Sequence, residues 1–164
     1  MVISRRSRCA LHAVGYLAYR LRDTDAPIAL PEIREYLRSY SRKTTFSAGY
    51  VSKILQQLSR VGVLRAIPGR NGGYLLARPA TDIRLVEIVR ALDGAEEEQC
   101  CLLSIGPCGN RDNCGVFRVI QDAERSFYGF LEGESADSLS RKMFGAFPPP
   151  NLLKLPTAPD SADR

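Results

Sequence analysis

The stretch SAGYVSKILQQLSRVGVLRAIPGRNGGYLLARP, residues 47–79, constrains the fold more than any other. Val51, Ile54, Leu55, Leu58 and Val61 recur at helical spacing, with Ser47 placed to cap the helix and Gly62 to stop it. Two short β-type runs follow at once, residues 63–67 and 74–77. They flank PGRNGG, a hairpin signal. A chain of 164 residues with 45% hydrophobic and 25% charged content is one ordinary globular domain, or a small domain with an extension.

Upstream, Ala10, Leu11, Val14, Leu17, Ala18 and Leu21 share one face of a predicted helix over residues 4–21. RDTDAP breaks it, and a second helix is expected to open at Pro31, a favoured first-turn residue. Residues 39–47 are polar, basic and rich in hydroxyls, and read as a loop. Downstream, IRLVEIVRALDG predicts a short amphipathic helix ending at Gly94. A long helix is predicted over residues 115–131, with Val116, Val119, Ile120, Ala123, Phe127, Phe130 and Leu131 along one stripe. Such a stripe either meets a partner chain or packs on the domain's own core. Residues 136–144 form a short closing segment. The proline-rich tail over residues 145–164 has too little apolar surface to pack and is expected to be largely disordered.

No apolar run reaches the roughly 18–20 residues that span a bilayer. The basic N-terminus turns only partly apolar, interrupted by His12, Tyr16 and Arg20, and reads as a helix and not a signal peptide. That predicts the cytoplasm, where thiols stay reduced. No nucleotide motif or paired acid and base is present, so neither an enzyme nor a small-molecule substrate is expected.

Three helices followed by a hairpin is the order of a winged helix-turn-helix, so the expected fold is mainly α with a small β-wing. Charge fits a polyanion partner. Residues 1–93 carry 16 Lys/Arg against 7 Asp/Glu, whereas residues 94–164 carry 7 against 11. The third helix offers Ser47, Tyr50, Ser52, Lys53 and Gln56 for a major groove. The glycine-rich hairpin offers Arg70 to a minor groove, with Asn71 and Gly72 approaching phosphates. Arg5, Arg6 and Arg8 in the first helix, and Arg42 and Lys43 in the loop, are expected on phosphates. Any one of these charges alone reads equally well as solvated surface.

These residues resemble a known family. YVSKILQQLSRVGVLRAIPGRNGGYLLARPATDIRLVEIVRALDG, then a cysteine loop, then FRVIQDAERSFYGFL, is similar to the Rrf-type family of bacterial winged-helix transcription regulators, the IscR-, NsrR- and RirA-like proteins. The resemblance covers roughly residues 2–144. It implies a homodimer that binds a two-fold-symmetric double-stranded DNA operator. The long C-terminal dimerisation helix would cross its partner through Val116, Ile120, Ala123, Phe127 and Leu131. The implied organisation is a winged helix-turn-helix domain over residues 1–94 and a cluster-binding loop over 95–114. The dimerisation helix and closing segment cover 115–144, and the tail 145–164. Two departures stand out. The loop before the third helix is longer than usual, and Pro68 replaces an arginine that commonly serves wing readout, which either weakens minor-groove reading or shifts it to Arg70.

The resemblance also bears on the crowded thiols of EEEQCCLLSIGPCGNRDNC. In the family's sensor members three loop cysteines hold an iron–sulfur cluster, and the matching residues are Cys101, Cys108 and Cys114, spaced C-x6-C-x5-C. Thiolates are the soft ligands such clusters need, whether 2Fe–2S or 4Fe–4S. Thiol or disulfide sensing without metal remains open, as do a loop without a cofactor and, lacking C-x2-C knuckles, zinc. An electron-transfer role for the same cluster is a further alternative. For a fourth ligand the choices are His12 of the partner's first helix, the only histidine, or Cys100, with Cys9 third and better suited to a core. Arg8 stands where some relatives carry a carboxylate ligand, and a guanidinium cannot ligate.

Overall fold

The computed structural model describes residues 3–40, 46–94 and 114–145. Arg42, Lys43, Cys100, Cys101 and Cys108, with the proline-rich tail, lie outside the described residues.

Helix α1 (Arg5–Arg20) starts at Ser4, whose side chain accepts from the Ser7 N–H. Helix α2 (Leu30–Tyr40) opens one residue before Pro31. Helix α3 (Ala48–Arg60) has Ser47 as its cap, and Gly62 follows at φ 75°. Strands β1 (Leu64–Ile67) and β2 (Gly73–Leu76) pair antiparallel, Leu64 opposite Leu76 and Ile67 opposite Gly73. β1 is one residue shorter than the apolar run that predicted it, and β2 lies one residue earlier than its run. A 3₁₀ turn at Ala80–Asp82, absent from the sequence expectation, leads into helix α4 (Leu85–Asp93). Helix α5 (Gly115–Gly133) and helix α6 (Ala136–Phe144) complete the chain. The architecture is the expected one, mainly α with a two-stranded wing.

Helix α1 is the hub and packs on α2, α3, α4, α6 and β2. Its buried face, Ala10, Ala13, Val14, Leu17 and Ala18, meets Ile33 and Leu37 of α2, Ile54, Leu55 and Leu58 of α3, and Ile88 of α4 in one apolar core. Truncating one such leucine costs about 2–5 kcal/mol, because the cavity does not collapse fully. Between α1 and α2 the Glu32 carboxylate accepts from the Tyr16 hydroxyl and from Arg20 Nε, each at 2.8 Å. That bond satisfies polar groups that burial would otherwise penalise.

The wing is attached to the body by backbone. Ile28 exchanges two hydrogen bonds with Tyr74, Ile28 N–H to Tyr74 O at 3.0 Å and Tyr74 N–H to Ile28 O at 2.9 Å. A Cβ on Gly73 would stand 2.3 Å from the Ile28 carbonyl oxygen, and one on Gly72 would stand 2.1 Å from the Ile67 oxygen. Only glycine permits both approaches. Gly72, expected at a phosphate, is thus required by the wing's own packing.

Candidate nucleic-acid interface

Helix α3 divides cleanly. Val51, Ile54, Leu55 and Leu58 are buried, while Gly49, Lys53, Gln56 and Arg60 are exposed. The exposed four recur at helical spacing and form one polar, basic face. Lys53 and Gln56 stand where sequence placed them. Arg60 belongs to the same face, and its spacing of seven from Lys53 was the signal that could have added it. The Ser47 side chain accepts from the Tyr50 N–H at 3.3 Å, and Ser52 is half-buried.

Tyr50, expected among the base-reading residues, is held by its neighbours. Its ring stacks on Phe46 with centroids 5.5 Å apart and planes at 6°. The Arg5 guanidinium lies 5.2 Å from the centre of the Phe46 ring. Arg5 therefore closes a cation–aromatic stack on the approach to α3 while remaining exposed. Arg6 donates to the Gln57 side-chain oxygen and Arg8 is exposed. On the wing, Arg70 and Asn71 are exposed at the tip, and the Gly72 N–H closes the turn on the Gly69 oxygen at 3.0 Å. Lys53, Gln56 and Arg60 on a rigid helix, and Arg70 on a backbone-anchored hairpin, provide bidentate, point-charge and groove-inserting groups.

The predicted metal ligands are dispersed or undescribed. Cys114 is the residue before the first turn of α5 and is half-buried, and its carbonyl accepts from the Arg118 N–H at 3.2 Å. Cys9 is 1% exposed in the core, and burial pushes its thiol up to about 11, with Arg5 a smaller opposing influence. A thiol that resists ionisation is a poor ligand. His12 is half-buried, its Nδ1 3.3 Å from the Tyr36 hydroxyl, and burial lowers its pKa below the ordinary imidazole value. That shift favours the neutral imidazole, the form that ligates. Among the described residues no group of three or more His, Cys, Asp or Glu is placed to hold a metal.

The predicted dimer stripe of α5 is mostly uncovered. Val119 is 70% exposed, Val116 51% and Phe130 52%, and Ala123 is exposed too. Ile120 is half-buried, and Phe127 leans on the core. Leu131 is not on that exposed stripe. At 2% exposure it is part of the chain's own core.

Residues 3–142 match the model of the Rrf2 family, described as an iron-dependent transcriptional regulator. The chain belongs to the Rrf2 family of transcriptional regulators. This Rrf2 regulator is 32% identical over 129 residues to protein aau3 of Rhizobium meliloti, covering 78% of the chain and 79% of the relative. It is 26% identical to the HTH-type transcriptional regulator IscR of Photorhabdus laumondii, covering 85% of the chain and 79% of that protein. Among solved structures the fold resembles T. potens IscR, with TM-score 0.65 and 20% identity over 90% of this chain and 91% of that one. It also resembles CymR of B. subtilis, with TM-score 0.64 and 22% identity over 87% and 98%. No described helix of this Rrf2 regulator is long and apolar enough to cross a membrane.

Proposed function

We propose that this Rrf2 regulator acts in the cytoplasm as a homodimer on a two-fold DNA operator, with affinity set by an iron–sulfur cluster held through Cys101, Cys108 and Cys114. The observation that carries the DNA reading is the face Lys53, Gln56 and Arg60, exposed on a helix whose opposite side is locked into the core. Lys53 and Gln56 read base edges, Arg70 enters the minor groove, and Arg5 and Arg8 contact phosphates and set the salt dependence. The uncovered α5 stripe supports a second copy of the chain as its cover. A helix presenting Val116, Val119 and Phe130 to water gains little until that surface is buried.

The donor set fits a cluster. Four thiols share the segment, the three proposed ligands among them, and Cys114, half-buried, stands at the N-cap of α5. Bound there, the cluster would supply a redox- and ligand-responsive centre. The chain's own part is to hold it between the end of α4 and the start of α5, the DNA-binding half on one side and the pairing helix on the other. His12 of the partner subunit is the favoured fourth ligand and Cys100 the second choice. The second reading, a thiol switch without metal, is favoured by the same four thiols within residues 100–114, since any two that approach can oxidise to a disulfide.

The test is purification without air, with iron supplied, followed by a visible spectrum and assays of iron and acid-labile sulfide. The cluster reading expects a coloured protein that each of Cys101→Ala, Cys108→Ala and Cys114→Ala bleaches. A colourless wild-type protein without iron or sulfide overturns it. A reversible loss of free thiols on mild oxidation would then favour the disulfide reading. Duplexes selected from a random pool should show a palindrome, and a lack of any selected sequence overturns the operator reading.

A further inference from the structure

The last turn of α4 is fastened to the DNA-binding helices by side chains that the functional reading leaves unused. Gln57 of α3 spends both ends of its amide: its nitrogen donates to the Ala91 carbonyl of α4, and its oxygen accepts from Arg6 of α1. One position beyond Gln56, it sits half-buried beside the reading face. Asp93, the last residue of α4, accepts from the Ser4 backbone N–H at 3.2 Å and from the Ser4 hydroxyl. Both contacts satisfy groups that helix ends leave open, namely a C-terminal carbonyl of α4 and an N-terminal donor of α1. Asp93 also brings negative charge to the start of α1, which has no acidic residue in its first turn and begins with two arginines. Gly94 then leaves the helix at φ 89°, and the cysteine segment starts at the next residue.

We infer that Gln57 is the positioning residue through which the state of the cysteine segment reaches the recognition helix. Asp93 provides the parallel tie to α1. A pull on Gly94 is taken first by the last turn of α4, whose side-chain ties run to α3 through Gln57, to α1 through Asp93 and to α5 through the Arg90–Glu132 pair. Transmission needs no intermediate packing layer, because Gln57 touches α4 directly and lies on the same helix as Lys53 and Gln56. The differential contact that a coupling must have is thus the Gln57–Ala91 bond, kept in one state of the segment and lengthened or broken in the other. This inference rests on the proposed dependence of operator affinity on the cysteine segment.

The experiment uses the full chain, anaerobically reconstituted with iron and sulfide or stripped with a chelator, and measures operator affinity in both states. For the wild-type chain the ratio of the two affinities should be of the order found for coupled sites, roughly 5- to 150-fold. Gln57→Leu keeps the bulk and removes the amide, and Asp93→Asn keeps the shape and removes the charge. Gln57→Leu should bring the ratio below about a third of the wild-type value, the share that loss of one buried hydrogen bond removes. Asp93→Asn should reduce it less. If Gln57→Leu lowers affinity equally in both states and leaves the ratio intact, Gln57 is merely structural and the inference is overturned. If the wild-type chain itself shows no ratio, the sensing reading fails. The bridge is then judged by hydrogen exchange alone. Gln57→Leu should speed exchange at the Asp93 and Gly94 amides and along α3, and unchanged protection there overturns the bridge as well.

Discussion

Helices α3 and α5 both carry an apolar stripe at helical spacing, and one chain treats them oppositely. On α3, Val51 is 1% exposed and Leu55 is fully buried, whereas on α5 Val119 is 70% exposed and Phe130 52%. Helix α3 packs on α1, α2, α4 and β1, and among the described residues α5 finds only α4 as a substantial neighbour. A periodic stripe therefore states that a helix will be covered, and the cover itself depends on what else the chain can bring. The DNA-binding half completes itself. The α5 half leaves its stripe open, and in the proposed dimer a second copy covers it.

Leu55→Ala should break the first side of that contrast most severely. The expected loss is about 2–5 kcal/mol in urea unfolding, with operator binding lost as the fold weakens. Val119→Ala in the same assay should stay within about 0.5 kcal/mol for the isolated chain, and equal costs at the two sites would erase the distinction. Val119→Glu tests the second side. A charge buried between two α5 helices costs several kcal/mol, so sedimentation should show a monomer whose own far-ultraviolet spectrum is unchanged. An intact dimer would place the partner elsewhere.

Smaller effects separate the reading face from its surroundings. Lys53→Ala should cost about 1–3 kcal/mol on the selected operator and less on random duplex. Arg8→Ala should weaken both alike and lower the salt slope by about 1. The smallest effect concerns Glu87, which fastens the wing's exit to α4. Burial raises its pKa, but a hydrogen bond from Arg78 and one from the Arg84 N–H prevail and bring it below the ordinary value of 4.5. Its stabilising contribution is present above pH 4.5 and is lost as pH falls through the lower folded value. Glu87→Gln should remove that acid-side loss from the pH dependence of melting, without moving the sedimentation of the dimer.

Much of the contrast was legible in the residues themselves. Ser47, Gly62 and the apolar positions between them locate α3 because caps and periodicity are local. PGRNGG locates the wing for the same reason. What escaped is long-range. Ser4 and Asp93 are 89 positions apart, and nothing local marks one as the other's partner. The stacking of Tyr50 on Phe46 escaped as well, because Phe46 lay in a segment read as loop. Leu131 resembled interface because a helix near its end can turn the same stripe inward, and only its place in the chain's own core shows where inward is. The loop cysteines came as a set from the family resemblance and two of them lie outside the described residues, whereas a fourth ligand is a question of geometry between chains.

The two bonds between Ile28 and Tyr74 give the wing the character of one arm of a fixed calliper. Because β2 is stitched by its backbone to the segment just before α2, the hairpin cannot swing independently of the helix-turn-helix. The span from Lys53 to Arg70, the two groups proposed to enter neighbouring grooves, is then set within the chain. In the proposed dimer, any operator whose half-sites are a base pair closer or farther must be accommodated at the crossing of the two α5 helices. Tolerance to half-site spacing becomes a direct gauge of how firmly that crossing is packed.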